Sequence, residues 1–99
     1  MPSNYILIPQ AKLDMNKIVR YISRDNTVAA RKLRESIIDA CEIIGKNPYI
    51  GQERGDLTNK NVRFFVAHHN YMIIYKADTS PVQILRIYNS AQHVDSILH

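Results

Sequence analysis

The order of sequence patterns along the chain constrains the fold more than any single residue does. Two segments with helical periodicity come first, over about residues 9–47, and three short β-type segments follow. These β-type segments cover residues 62–66, 71–76 and 82–88. A loop with proline and glycine at 47–51 separates the two groups. A further β-type run at 5–8 is stopped by Pro9, which is tolerated in the first turn of a helix.

The first helix has an apolar stripe on one side and basic residues on the other. A stripe about 100° wide is typical of a core-facing helix, and here it contains Ala11, Met15, Ile18, Val19 and Ile22. Lys17, Arg20 and Arg24 lie on the opposite side, together with Leu13. Leu13 is therefore either a singly exposed leucine, which is common, or an apolar contact within a basic partner-binding face.

The second helix is expected to begin after Asp25-Asn26, whose short side chains favour an N-cap, and to end near Gly45. Its predicted core face contains Ala29, Ala30, Leu33, Ile37, Ala40, Cys41 and Ile44. Because the connection is so short, we expect the two helices to be antiparallel neighbours. Cys41 has no second cysteine to pair with, so it is interpreted as a small core residue.

The β-type segments are joined by short turns at 67–70 and 78–81, which favour antiparallel pairing. Residues 48–61 are interpreted as a surface loop and 90–98 as a short C-terminal helix. We therefore predict an α+β fold in one domain over residues 1–99. An α-helical hairpin packs on a small, mostly antiparallel four-stranded sheet in the order β-α-α-β-β-β.

The positive net charge favours an anionic partner but does not show which kind of partner it is. Thirteen Lys and Arg against nine Asp and Glu give a formal net charge of +4. Residues 10–46 hold eight basic and five acidic side chains, so the helices carry most of the surplus. The chain has no apolar run of membrane-spanning length and no signal-peptide pattern after Met1, so we expect a cytoplasmic protein without a membrane partner.

Few residues suggest site chemistry. His68 and His69 are adjacent and would diverge, so neither a metal nor a cofactor is expected. Acid–base cleavage of RNA needs a base, an acid and cations for the phosphate, and the candidates are Arg63, Arg86, Tyr71, Tyr75, Tyr88 and His93. Arg86 either holds its strand to another element or faces a partner. The tyrosines are interpreted mainly as core residues.

The succession of motifs resembles the ParE/RelE superfamily of type II toxins, and the ParE branch in particular. The motifs are Ala11-x-x-Asp14-Met15-x-x-Ile18-x-x-Tyr21, Asn47-Pro48-x-x-Gly51, Arg63, Tyr71-x-Ile73-Ile74-Tyr75 and Ile84-Leu85-Arg86-Ile87. The resemblance covers nearly the whole chain. It implies a hetero-oligomer with an acidic, ParD-like antitoxin that wraps the toxin and binds DNA, and we expect an antitoxin helix to dock on the open side of the sheet or along the helices.

The resemblance also implies an activity. ParE-like toxins poison DNA gyrase, whereas RelE-like toxins cut mRNA on the ribosome. The segment 89–92 has none of the Arg or Lys expected of the nucleases, which favours a non-enzymatic gyrase inhibitor. The chain departs from many ParE members in having Asn89 and Gln92-His93 where they carry His and an Arg-Asp pair. A ribosome-dependent nuclease using Arg63, Arg86, Tyr88 and His93, or a degenerate member that only binds its antitoxin, are the alternatives.

The expected partner-binding residues come from two parts of the chain. The basic helix face contributes Leu13, Lys17, Arg20 and Arg24, and the remaining candidates are Arg63, Arg86 and His93.

Overall fold

Along the chain, two helices follow the first strand and precede the other strands, in the predicted order. The computed structural model describes residues 4–55, 61–68 and 70–90 of the 99-residue chain. The elements are β1 (Tyr5–Leu7), α1 (Pro9–Ser23), α2 (Thr27–Lys46), β2 (Gln52–Glu53), β3 (Arg63–Ala67), β4 (Tyr71–Lys76) and β5 (Val82–Asn89). The predicted C-terminal helix at 90–98 and His93 lie outside the described residues, apart from Ser90.

The sheet has five strands in the order β1-β5-β4-β3-β2, so the prediction of four strands was one short. The additional strand is β2, in which Gln52 pairs with Phe64 and Glu53 pairs with Arg63. Two residues are too few to produce an alternating pattern, so the sequence of this stretch indicates a loop rather than a strand. All neighbouring strands are antiparallel except β1, which runs parallel to β5.

The strand boundaries differ from the prediction by about one residue. Ala67 belongs to β3 and pairs with Tyr71, so the β3–β4 turn is shorter than the predicted 67–70. His68 within this turn adopts a positive φ of 50°. Between β4 and β5, the register shifts at Ile74/Tyr75, because Ile74 pairs with Arg86 while Tyr75 pairs with Ile84. Leu85 is therefore an extra residue in β5, as in a β-bulge.

The helices cover one face of the sheet, as predicted. Ala11 and Met15 of α1 are buried, and the rest of its predicted stripe is half-buried against the same core. From α2, the core receives Leu33, Ile37, Ala40, Cys41 and Ile44. The predicted N-cap is also confirmed, since the Asn26 side chain accepts a hydrogen bond from the backbone N–H of Ala29 at 2.9 Å.

A second, smaller apolar cluster forms among the strands. Its buried members are Val62, Phe64, Ile74 and Tyr88, with Met72 and Leu85 packed against them. Phe64 and Ile74 are directly paired across β3 and β4, so their side chains lie on the same face of the sheet. The sheet thus contributes apolar side chains to two clusters, and only the larger one includes the helices.

Candidate partner-binding surfaces

The outward side of α1 combines exposed apolar and basic side chains. Leu13 is 53% exposed and Tyr21 is 68% exposed, and Lys17, Arg20 and Arg24 are exposed as well. Their spacing of three and four residues places them along one side of the helix, opposite the buried stripe. We call these five residues the α1 surface. Four of the predicted partner-binding residues are therefore brought together here, and Tyr21 joins them.

The charge of the α1 surface is uncompensated along its own helix. Asp14 is the one acidic residue between positions 9 and 24, and it is buried beneath the helix rather than displayed on its surface. Asp25 in the following turn is the nearest exposed acid along the chain. The exposed charged residues of α2 include both basic and acidic side chains, namely Arg31, Lys32, Arg34, Glu35, Asp39, Glu42 and Lys46. The positive surplus of the helices is thus concentrated on α1.

Asp14 and Arg86 hold α1 to the free part of the β5 edge. Beyond Ile84, β1 no longer pairs with β5, because the chain turns into α1 at Pro9. One oxygen of Asp14 accepts from Arg86 Nε at 2.8 Å and from the backbone N–H of Ile87 at 3.0 Å. The other accepts from Arg86 Nη2 at 3.2 Å. A helix carboxylate therefore satisfies a strand N–H that no neighbouring strand reaches.

Asp14 and Arg86 form a largely buried ion pair. The side chain of Asp14 is 9% exposed and that of Arg86 is 29% exposed. A buried carboxylate requires a paired cation, and Arg86 provides it. The observed contact gives Arg86 the structural role of joining the sheet to a helix, which was one of the two predicted roles.

Arg63 holds the loop between α2 and β2. Its Nη1 donates to the carbonyl oxygens of Gly51 at 2.7 Å and Tyr49 at 3.3 Å, and its Nη2 lies 3.4 Å from a carboxylate oxygen of Glu53. The guanidinium also lies 5.0 Å from the centre of the Tyr49 ring, which is a cation–π distance. Arg63 therefore pairs with an acidic side chain of the neighbouring edge strand β2, and it also fixes the loop backbone.

Tyr75 holds the same loop from inside the core. Its hydroxyl donates to the carbonyl oxygen of Pro48 at 2.7 Å and accepts from the backbone N–H of Gly51 at 2.8 Å. Glycine is required at position 51, because a Cβ there would lie 2.5 Å from the Tyr75 hydroxyl oxygen. We call residues 47–51 the anchored loop. The Asn-Pro-x-x-Gly motif thus encodes a loop that a buried tyrosine and a strand arginine fix in place.

The proposed nuclease residues do not converge in the described part of the chain. Arg63 and Arg86 lie on β3 and β5, which flank β4, so their backbones are separated by roughly 10 Å. Their guanidinium groups contact partners at opposite edges of the sheet. Tyr88 is 3% exposed, and its hydroxyl has no hydrogen-bond partner within the described residues. Burial raises the pKa of Tyr88, with Arg54 opposing the shift.

The remaining titratable candidates also have core roles. Burial, reinforced by the nearby Glu42, raises the pKa of the Cys41 thiol to about 12, so the thiol is protonated and unreactive near neutral pH. Burial likewise raises the pKa of Tyr75.

Across residues 4–55, 61–68 and 70–90, no group of three or more His, Cys, Asp or Glu could hold a metal ion. None of the described helices is long and apolar enough to cross a membrane.

Sequence reasoning did not identify Asp14 as a partner of Arg86. A weak signal was present, since Asp14 lies beside the apolar stripe of α1, three residues after Ala11 and four before Ile18. A carboxylate that is buried beside a core-facing stripe has to be paired, and Arg86 is the one charged residue of β5. The anchoring role of Tyr75 left no comparable signal, because a tyrosine hydroxyl produces no periodicity.

The sequence matches a family of toxins, and the fold is similar to that of a solved protein. Residues 5–94 match the family model described as ParE toxin of type II toxin–antitoxin system, parDE. The fold is similar to a solved chain of the chromosomal ParDE TA system from P. aeruginosa, with a TM-score of 0.70. The two share 18% sequence identity over 88% of this chain and 95% of that chain, so this likeness concerns the fold alone. No curated protein matches the sequence.

Proposed function

This chain belongs to the ParE toxin family of type II toxin–antitoxin systems, and from that premise we propose that it inhibits DNA gyrase and is neutralised by a cognate acidic antitoxin. The observation that carries the proposal is the family match over residues 5–94. The separation of Arg63 from Arg86 adds support, because it leaves no shared cradle for a scissile phosphate in the described residues. The proposed place of action is the cytoplasm.

We assign antitoxin binding to the α1 surface. An acidic, partly disordered segment is attracted by cations, and it buries a large contact area when it wraps its partner. The α1 surface offers Lys17, Arg20 and Arg24 for the charge and Leu13 and Tyr21 for apolar contact. A hetero-oligomer of toxin and antitoxin is the assembly that follows.

A charge-reversal pair tests this surface. Arg20→Glu with Arg24→Glu should weaken antitoxin binding by about tenfold or more, because two attractions become repulsions. The matched control is Arg31→Glu with Arg34→Glu, which changes net charge equally on the mixed-charge side of α2. Both pairs should melt as wild type does, since exposed charges contribute little to stability. Wild-type affinity in the α1 pair would contradict the assignment.

Antitoxin binding should also appear as thermal stabilisation. At an antitoxin concentration about 100 times Kd, mass action stabilises the folded toxin by about 2.7 kcal/mol. For a domain of this length, that corresponds to a rise in Tm of roughly 10–20 °C. A melting curve that the antitoxin leaves unchanged would exclude the proposed complex.

The toxin proposal as a whole is tested in cells. Induced expression should arrest bacterial growth, and co-expression of the cognate antitoxin should restore it. Arrest that the antitoxin does not relieve would contradict neutralisation, and continued growth would leave only the antitoxin-binding alternative. With purified components, a gyrase inhibitor should abolish supercoiling, whereas a nuclease should leave gyrase unaffected and cut mRNA on translating ribosomes.

A further inference from the structure

The anchored loop is fixed at its backbone yet displays two large apolar side chains. Tyr75 and Arg63 together make four hydrogen bonds to backbone groups of residues 48–51. In the same loop, Tyr49 is 68% exposed and Ile50 is 47% exposed. Surface loops are usually more mobile than the elements they connect. A loop that is held this firmly while its apolar side chains face solvent has the properties of a preorganised contact.

We propose that Tyr49 and Ile50 form an apolar anchor that inserts into an uncharged apolar pocket on the toxin's folded target protein. The anchor is separate from the α1 surface and does not bind the antitoxin. The inference rests on the proposed function, because it assumes that the toxin acts by binding a target protein. It adds to that function the part of the toxin that makes the contact.

Rigidity supports this role. Binding costs free energy when a side chain or loop has to be ordered, and a loop that is already fixed avoids most of that cost. Tyrosine is also one of the residue types that dominate binding energy at protein interfaces. The Tyr49 ring lies against the Arg63 guanidinium, which orients it, yet most of the side chain remains in solvent. The ring is thus positioned without being buried.

The charge distribution decides between the two partners. Residues 47–52 carry no charge, and the adjacent Arg63 faces Glu53 and two carbonyl oxygens. The loop itself offers an acidic segment no cation, and Lys46 and Glu53 at its two ends have opposite charges, whereas the α1 surface offers three cations. The loop therefore suits a pocket without charge, and its binding should depend little on salt.

The test compares two sets of exposed substitutions. Tyr49→Ser with Ile50→Ser removes the anchor, and Val28→Ser on α2 removes an apolar side chain that is 52% exposed elsewhere. Each variant is assayed for growth arrest, for direct binding to purified gyrase, for antitoxin affinity and for Tm. A second variant, Ile50→Asp, leaves the Tyr49–Arg63 contact intact and places a charge in the proposed pocket, so a stability loss in the first variant does not obscure the result.

We expect both anchor variants to bind gyrase at least about tenfold more weakly and to lose growth arrest. Their antitoxin affinity should stay within about twofold of wild type, and Val28→Ser should behave as wild type throughout. Growth arrest by both anchor variants at wild-type level would overturn the inference and leave the proposed function intact. If wild type itself neither arrests growth nor binds gyrase, the proposed function fails and the anchor fails with it, an outcome that the wild-type assay alone identifies.

Discussion

Replacing Asp14 by asparagine should be among the most destabilising single changes in α1. The side chain keeps its size but loses its charge and one of its two acceptor oxygens. Three hydrogen bonds from Arg86 and Ile87 converge on this carboxylate, at 2.8, 3.0 and 3.2 Å, and Gln10 Nε2 adds another at 3.2 Å. In asparagine, an NH2 group replaces one of the two carboxylate oxygens and faces N–H donors of β5. At least one hydrogen bond to β5 is therefore lost.

The structure sets the expected size of the effect. Removing one partner of a buried ion pair costs about 3–5 kcal/mol. Because the Arg86 side chain is 29% exposed and can regain part of its hydration, we expect a value near the lower end, about 3 kcal/mol. A domain of this size has a total stability of about 5–15 kcal/mol. The corresponding fall in Tm is roughly 12–24 °C.

Urea unfolding measured by circular dichroism gives the free energy of each variant. The matched control is Asp39→Asn on α2, which removes an exposed carboxylate and should change stability by about 0.5 kcal/mol or less. The double variant with Arg86→Met should lose less than the sum of the single variants, since the pair acts as a unit. An Asp14→Asn loss no larger than that of Asp39→Asn, or strict additivity in the double variant, would refute the account of this pair.

Buried contacts also determine how substitutions at Gly51, Cys41 and Tyr88 should act. Gly51→Ala should lower the free energy of unfolding by about 1–3 kcal/mol, because the added Cβ would meet the Tyr75 hydroxyl at 2.5 Å. Gly55→Ala is the control, since a Cβ there meets open space, and it should be nearly neutral in the same urea titration. Stability should fall as pH rises from about 9 to 12, because the folded pKa of Cys41 is raised from 9.0 to about 12 and its neutral form is favoured by folding; Cys41→Ala should reduce this alkaline loss, and an equal loss in both proteins would contradict the assignment. Tyr88→Phe should leave stability unchanged or raise it by about 1 kcal/mol, since it removes a buried hydroxyl without a partner in the described residues; a clear loss on thermal melting would show that the hydroxyl is satisfied.

The helices could be predicted from sequence because their signals are local. The apolar stripe of α1, the Asn26 N-cap and the core position of Cys41 depend on residues within a few positions of one another, and all three are confirmed. The exposure of Leu13 follows from the same periodicity. Local signals of this kind also identified the order of the three longer strands.

The contacts that define the candidate surfaces are long-range, and the sequence did not reveal them. Asp14 and Arg86 are 72 positions apart, and the Tyr75 hydroxyl reaches a carbonyl 27 positions away. The β2 strand exists only through its pairing with β3. No window of neighbouring residues contains both partners of such contacts, so sequence patterns alone gave candidate residues without their arrangement.

A supercoiling assay with purified DNA gyrase, relaxed plasmid and ATP shows whether gyrase is the target. The toxin is titrated with and without an excess of its cognate antitoxin, and the products are resolved as supercoiled, relaxed and cleaved DNA. If the toxin inhibits gyrase, supercoiling should be lost and cleaved plasmid should accumulate, and supercoiling should recover when the antitoxin is present. Normal supercoiling at a toxin concentration that arrests growth in cells would contradict the assignment of gyrase as the target.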